Sequence, residues 1–129
     1  MNIEELREYC ILKPMVTEEF PFDENTLVFK VAGKMFALTD LEDDFTINIK
    51  CDPEIAIELR ENYPDSVLPG YHMSKKHWNT IIIDGRIPDK LIYQWIDDSY
   101  NLVVNKLPKV KREQIIENKK NHSGSLSPG

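Results

Sequence analysis

The chain has 129 residues, of which 41% are hydrophobic and 29% charged, values ordinary for one soluble globular domain. The formal net charge of −6 argues against a surface that binds nucleic acid everywhere, so phosphate binding would need a local basic patch. No apolar run approaches the roughly 20 residues of a membrane span. The acidic, amphipathic start also lacks the features of a signal peptide, so we expect a cytoplasmic protein.

The two cysteines, Cys10 and Cys51, stand in apolar surroundings. This pattern is typical of buried free thiols in a reducing compartment, although sequence alone leaves a disulfide between them open. Two isolated cysteines and three scattered histidines do not make a zinc motif. We expect no metal and no cofactor.

The first half of the chain predicts one helix and then three strands. A capping box at Asn2 and Glu5 begins a helix that runs to about residue 12. Residues 17–23 are expected to form a loop whose phenylalanines, Phe20 and Phe22, pin it to the core. Alternating apolar residues then predict strands near 27–31, 35–38 and 45–51, the first two joined by a turn at Ala32-Gly33.

The second half predicts a helix, two short strands and a longer helix. Asp52-Pro53 is a strong helix start, and the β-rich run 78–83 follows a polar stretch, residues 69–77. The helix after Pro88 carries one apolar face, which includes Ser99, and Lys106 near its end suits the helix dipole.

These elements predict a two-layer α+β sandwich in the order αβββαββα. Because strands come in runs joined by short turns, the sheet should be mainly antiparallel, with helices on one face and the other face open. We expect a single domain over residues 1–107 and a basic extension, residues 108–120, that forms a short helix. Residues 121–129 have linker composition and are expected to be disordered.

The stretch 69–85 holds most of the reactive side chains, yet it matches no catalytic motif. The chain has no phosphate-binding glycine loop, nucleophile elbow or zinc-protease motif, so we expect no enzymatic reaction. Lys75 and Lys76 could neutralise phosphates, His77 could add a donor and Trp78 could stack. Lys30, Lys34, Lys50 and Arg60 would strengthen this patch if they converge on it. The competing interpretation is a structural corner with solvated lysines and a packed Trp78.

Several segments resemble the MmcQ/YjbR family: Lys30–Leu38, Lys50–Glu54, Pro69–Thr80 and Asp97–Val103. The resemblance covers roughly residues 2–107, with Ser74 where the family usually has asparagine. It implies a fold similar to type III secretion chaperones and to CyaY-like proteins. Members are commonly labelled DNA-binding through a proposed double wing of strands and loops. The matching residues here are Lys34, Lys50, Lys75, Lys76, His77, Trp78 and Asn79.

Three functions follow as hypotheses. The first is a non-catalytic, monomeric DNA-binding protein that grips phosphates, with Asn79 as the obvious candidate for reading a base edge. The second is a chaperone-like module that docks a protein partner on the open sheet face. The third and weakest is a small-molecule or metal site near Tyr71, His72 and His77.

Overall fold

The computed structural model describes residues 1–70 and 73–126, with side chains up to residue 118. Four helices and a six-stranded sheet make up these residues. In chain order the elements are α1 (Ile3–Ile11), β1 (Val16–Glu19), β2 (Thr26–Val31), β3 (Lys34–Asp40), β4 (Thr46–Lys50), α2 (Pro53–Asn62), β5 (Val67–Pro69), β6 (Trp78–Ile82), α3 (Asp89–Asn105) and α4 (Lys109–Leu126). No helix in the described part of the chain is long and apolar enough to cross a membrane.

The strands form one antiparallel sheet in the order β1-β2-β3-β4-β6-β5. The predicted α+β class and antiparallel sheet are confirmed, but the element order is αββββαββαα. The additional strand β1 lies in part of the segment predicted as a loop. Its four residues carry no alternating pattern, and it exists because its backbone pairs with Val28–Val31 at the sheet edge.

Helices α1 and α2 and the β2–β3 hairpin turn begin at the residues that the local sequence predicts. In α1 the Asn2 side chain accepts from the Glu5 N–H at 2.8 Å, and the Glu5 carboxylate accepts in return from the Asn2 N–H. Asp52 caps α2, and Pro53 is its first residue. In the β2–β3 turn, Ala32 and Gly33 both have positive φ, 48° and 84°, as a tight hairpin turn of this type requires.

One face of the sheet packs against the helices to form the main core. Leu6 of α1, Ala56 of α2 and Ile96 of α3 are fully buried there against strand residues such as Phe29 and Ile81. The opposite face carries a smaller apolar patch, which consists of Val28, Leu38 and Trp78 with Met35 and Met73. The described part of the chain is therefore two-layered, with its helices on one face of the sheet.

Both cysteines are buried and free, as predicted. Burial raises the pKa of the Cys10 thiol to about 12 and that of Cys51 to about 11. Neither thiol is ionised at neutral pH, so neither is a reactive nucleophile.

Two expectations about peripheral segments differ from the structure. Phe20 and Phe22 do not pin their loop to the core, because their side chains are 50% and 63% exposed. The C-terminal helix α4 continues to Leu126, past the predicted end at residue 120. Ile115 of α4 is 5% exposed within the main core, so the first part of this helix packs on the domain.

Candidate nucleic-acid interface

Three lysines from separate elements converge at one end of the sheet; we call them the lysine cluster. Lys34 is the first residue of β3, Lys50 is the last of β4, and Lys106 directly follows α3. The antiparallel pairing of β3 with β4 brings the first two to the same end. Packing of α3 across these strands adds the third, and the charges of Lys106 and Lys34 both act on the Lys50 ammonium.

The lysine cluster is electrostatically unfavourable in the free protein. Partial burial lowers the pKa of Lys50 below the ordinary 10.5, and the positive charges of Lys106 and Lys34 lower it further. Among the described residues, no carboxylate forms a salt bridge with any of the three lysines. A protein of net charge −6 thus holds three unpaired cations together.

Ser99 holds the backbone beside the lysine cluster in place. Its buried hydroxyl donates to the Phe36 carbonyl at 2.6 Å and accepts from the Lys50 N–H at 2.9 Å. These two bonds tie α3 to both β3 and β4. Together with the pairing of Lys50 with Trp78, this hydroxyl therefore fixes the position of Lys50 relative to Lys34 and Lys106.

The 74–77 turn, Ser74 to His77, lies next to Lys50. The Ser74 carbonyl accepts from the N–H groups of His77 and Trp78 at 3.2 and 2.9 Å, which closes the turn. The Cys51 N–H donates to the His77 carbonyl at 2.6 Å, which joins the turn to the end of β4. Lys75 and Lys76 are exposed and His77 is half-buried. Two more cations thus stand at the same end of the sheet.

Arg60 positions this turn through two of its N–H groups. Its Nε donates to the Asn79 side-chain oxygen at 2.7 Å, and its Nη2 donates to the Lys75 carbonyl. The guanidinium therefore links α2 to β6 and to the turn that carries Lys75. Lys30, the other cation proposed from sequence, forms a salt bridge with Glu19 at 3.5 Å and does not join the lysine cluster.

Trp78 and Asn79 are buried, which does not support the binding roles that the sequence suggested for them. Trp78 is 7% exposed in the small apolar patch with Val28 and Leu38, so its ring faces protein. Asn79 is fully buried on the helix side, where its Nδ2 donates to the Ala56 carbonyl at 3.2 Å. The interpretation of this stretch as a packed corner is correct for Trp78, and the burial of Asn79 was not predicted.

Gly70 is required where the chain passes over Trp78. A Cβ on Gly70 would lie 2.7 Å from the Trp78 Cβ and 2.9 Å from its carbonyl oxygen. The Gly70 N–H donates to that carbonyl at 2.8 Å. Only glycine lets the backbone approach this closely.

The sequence matches the YjbR family over residues 12–102. The chain belongs to the YjbR family. An Escherichia coli K12 relative, "Uncharacterized protein YjbR", is 36% identical over 118 residues, which cover 91% of this chain and 99% of the relative. Another relative, "Uncharacterized protein YbdF" from Escherichia coli O157:H7, is 39% identical over 79% of this chain and 84% of its own length.

Solved structures share the fold of this YjbR-family chain. A Deinococcus radiodurans protein with a DUF419 domain superposes with a TM-score of 0.83 at 42% identity, covering 88% of this chain and 87% of that one. A Pseudomonas syringae protein gives a TM-score of 0.66 at 26% identity, covering 79% of this chain and 98% of its own. The resemblance found in the sequence is confirmed for family and fold.

Two residues of the third hypothesis, Tyr71 and His72, lie outside the described residues. Within residues 1–70 and 73–126, no group of three or more histidine, cysteine or acidic side chains could hold a metal ion. Lys106, which the sequence suggested only as a helix-end charge, is the member of the lysine cluster that sequence reasoning missed. Nothing local marks it, because its neighbours come from β3 and β4.

Lys50→Gln is expected to stabilise this YjbR-family protein at neutral pH and less so at alkaline pH. The folded state disfavours protonated Lys50, so this penalty is present at neutral pH and declines as pH rises toward 10.5. The unfolding free energies of wild type and variant, measured by denaturant at neutral and alkaline pH, check this. An equal difference in unfolding free energy at both pH values would contradict the lowered pKa of Lys50.

Proposed function

We propose that this protein is a non-catalytic DNA-binding protein that grips backbone phosphates through the lysine cluster and the 74–77 turn. The observation that carries the proposal is that Lys34, Lys50 and Lys106 lie together and that no carboxylate among the described residues forms a salt bridge with them. Such an arrangement costs stability in the free protein. An anion between the lysines would relieve their repulsion, and a polyanion such as DNA would engage the neighbouring Lys75 and Lys76 as well.

The composition of this surface favours phosphates over bases. Its cations are lysines, compact point charges that suit phosphate oxygens, while base-edge recognition relies more on arginine, asparagine and glutamine. Asn79 is buried and Arg60 is occupied by protein acceptors. We therefore propose binding with little sequence preference and a strong dependence on salt.

The charge distribution of the sheet predicts which end of it DNA would approach. Lys34 begins β3 and Asp40 ends it, so the two are separated by about 20 Å along the strand at the usual rise per residue. The turn that follows Asp40 adds Glu42, Asp43 and Asp44. Phosphates would be attracted to the lysine end of the sheet and repelled from the opposite end.

The test is fluorescence anisotropy with a short DNA duplex over a series of salt concentrations. Lys34→Gln/Lys106→Gln is expected to weaken binding about tenfold and to reduce the slope of log affinity against log salt by about 2. The matched control, Arg86→Gln/Lys90→Gln, removes the same charge near the other end of α3. It should retain most of the affinity.

A titration of amide chemical shifts with the same duplex locates the residues that contact DNA. We expect DNA to shift residues of the 74–77 turn together with Lys34 and Lys50. Shifts confined to α4 would mean that DNA is attracted only to the basic extension, and they would refute this interface. Equal weakening by the control variant would refute it as well.

A further inference from the structure

The open face of the sheet carries a groove of about 1100 Å³ that runs from the acidic turn after β3 to Met73, next to the 74–77 turn. We call it the acidic groove. Its floor comes from the strands β3, β4, β6 and β5, and its acidic side comes from the segment before β2 and the turn between β3 and β4. It is lined by Phe22, Asp23, Thr26, Leu38, Asp40, Glu42, Asp43, Asp44, Thr46, Asn48, Leu68, Pro69, Met73 and Thr80.

The acidic groove has an apolar component that no other described element covers. Phe22 is 63% exposed and Leu68 is 42% exposed. Leu38 and Met73 belong to the small apolar patch, so the groove continues onto that patch. Leu38 is only 8% exposed, so Phe22 and Leu68 supply the exposed apolar surface of the groove. Exposed apolar side chains within a polar rim are typical of a site that docks another molecule.

The rim of the acidic groove is anionic. Five carboxylates line it, and no lysine, arginine or histidine does so among its described lining residues. N–H groups of Asn25 and Thr26 and the Thr26 hydroxyl lower the pKa of Asp23, which keeps it ionised. The Asp40 carboxylate accepts from the Glu42 N–H at 2.8 Å, so this part of the rim is held by the backbone.

We infer that the acidic groove docks a basic peptide segment of another protein, one that carries apolar side chains between its cationic residues. The cations would pair with the rim, and the apolar side chains would cover the exposed Phe22 and Leu68. Anionic partners are repelled by the same rim. A second copy of this chain is disfavoured because its net charge is also −6.

The test uses amide chemical-shift titrations of the full chain with three synthetic peptides of equal length. One alternates lysine and leucine, one alternates lysine and serine, and one alternates glutamate and leucine. The lysine–leucine peptide is expected to shift Thr46, Leu68 and Met73 and to bind at least about tenfold more tightly than the other two. Equal binding by the lysine–serine peptide would reduce the site to nonspecific charge attraction and would overturn the inference.

Separate variants test the contribution of the acidic rim and that of the apolar surface of the groove to peptide binding. Asp43→Asn/Asp44→Asn and, separately, Leu68→Ser should each weaken the lysine–leucine peptide several-fold. Glu4→Gln/Glu8→Gln, which removes the same charge from the exposed side of α1, is the matched control and should have little effect. A control that weakens binding as much as the groove variant would overturn the inference.

Sedimentation of the free chain and the DNA variants provide the remaining checks. Concentration-dependent self-association that is lost in Asp43→Asn/Asp44→Asn would identify the occupant as a second copy and overturn the assignment to another protein. Lys34→Gln/Lys106→Gln should leave peptide affinity unchanged. The groove can therefore be supported or refuted independently of DNA binding.

Discussion

Asn79→Leu is expected to lower the free energy of unfolding by about 2–5 kcal/mol, since it removes a buried amide that bonds two residues of α2. The side chain is fully buried; it accepts from Arg60 and donates to the Ala56 carbonyl. Leucine has a similar volume but leaves the guanidinium and the carbonyl without this partner. Urea denaturation of both proteins measures the difference.

A double-mutant cycle with Arg60→Met isolates the Asn79–Arg60 interaction. The double variant should lose clearly less unfolding free energy than the two single variants lose in sum, because it removes both ends of one hydrogen bond. Hydrogen exchange at His77 and Trp78 should accelerate in either single variant, since Arg60 also holds the Lys75 carbonyl. Additive costs with unchanged exchange would show that Arg60 does not position the turn.

Ser99→Ala is expected to lower the unfolding free energy by about 2–4 kcal/mol, because it leaves a buried carbonyl and a buried N–H without their shared partner. The Phe36 carbonyl and the Lys50 N–H both bond the Ser99 hydroxyl. The same substitution should weaken DNA binding at temperatures where the variant remains folded, since Lys50 loses its fixed position. Thermal unfolding and anisotropy together check this prediction.

Ser66→Ala is the matched control. Ser66 is 5% exposed, and no side-chain hydrogen bond in the described part of the structure involves its hydroxyl. Because no described buried side-chain polar atom lacks a partner, this hydroxyl reaches solvent. Its replacement should change stability by no more than about 0.5 kcal/mol. If both serine variants lost the same unfolding free energy, then burial alone, and not the bridging role of Ser99, would account for the loss in Ser99→Ala.

Both buried polar side chains support the proposed interface from beneath. Ser99 lies under the lysine cluster and Asn79 lies under the 74–77 turn. Ser99 fixes the backbone of the half-buried Lys50, and Asn79, through Arg60, supports the backbone of the exposed Lys75. We therefore expect substitutions at these two positions to affect binding through positioning, without any contact between the side chain and DNA.

The sequence determined the elements that depend on local chemistry. The capping box at Asn2 and Glu5, the Asp52-Pro53 helix start and the Ala32-Gly33 turn each specify backbone geometry within a few residues. The spacing of apolar residues located four of the six strands, β2, β3, β4 and β6, and several short segments together identified the family. These signals need no knowledge of distant contacts.

The tertiary structure decided which side chains meet. Alternation along β6 places Trp78 and Asn79 on opposite faces, but only the packed fold shows that Met73 and Met35 cover one while α2 covers the other. Edge strand β1 is specified by its pairing with β2 and not by its own residues. The lysine cluster arises the same way, because Lys34, Lys50 and Lys106 are far apart in sequence and are brought together by strand register and the packing of α3.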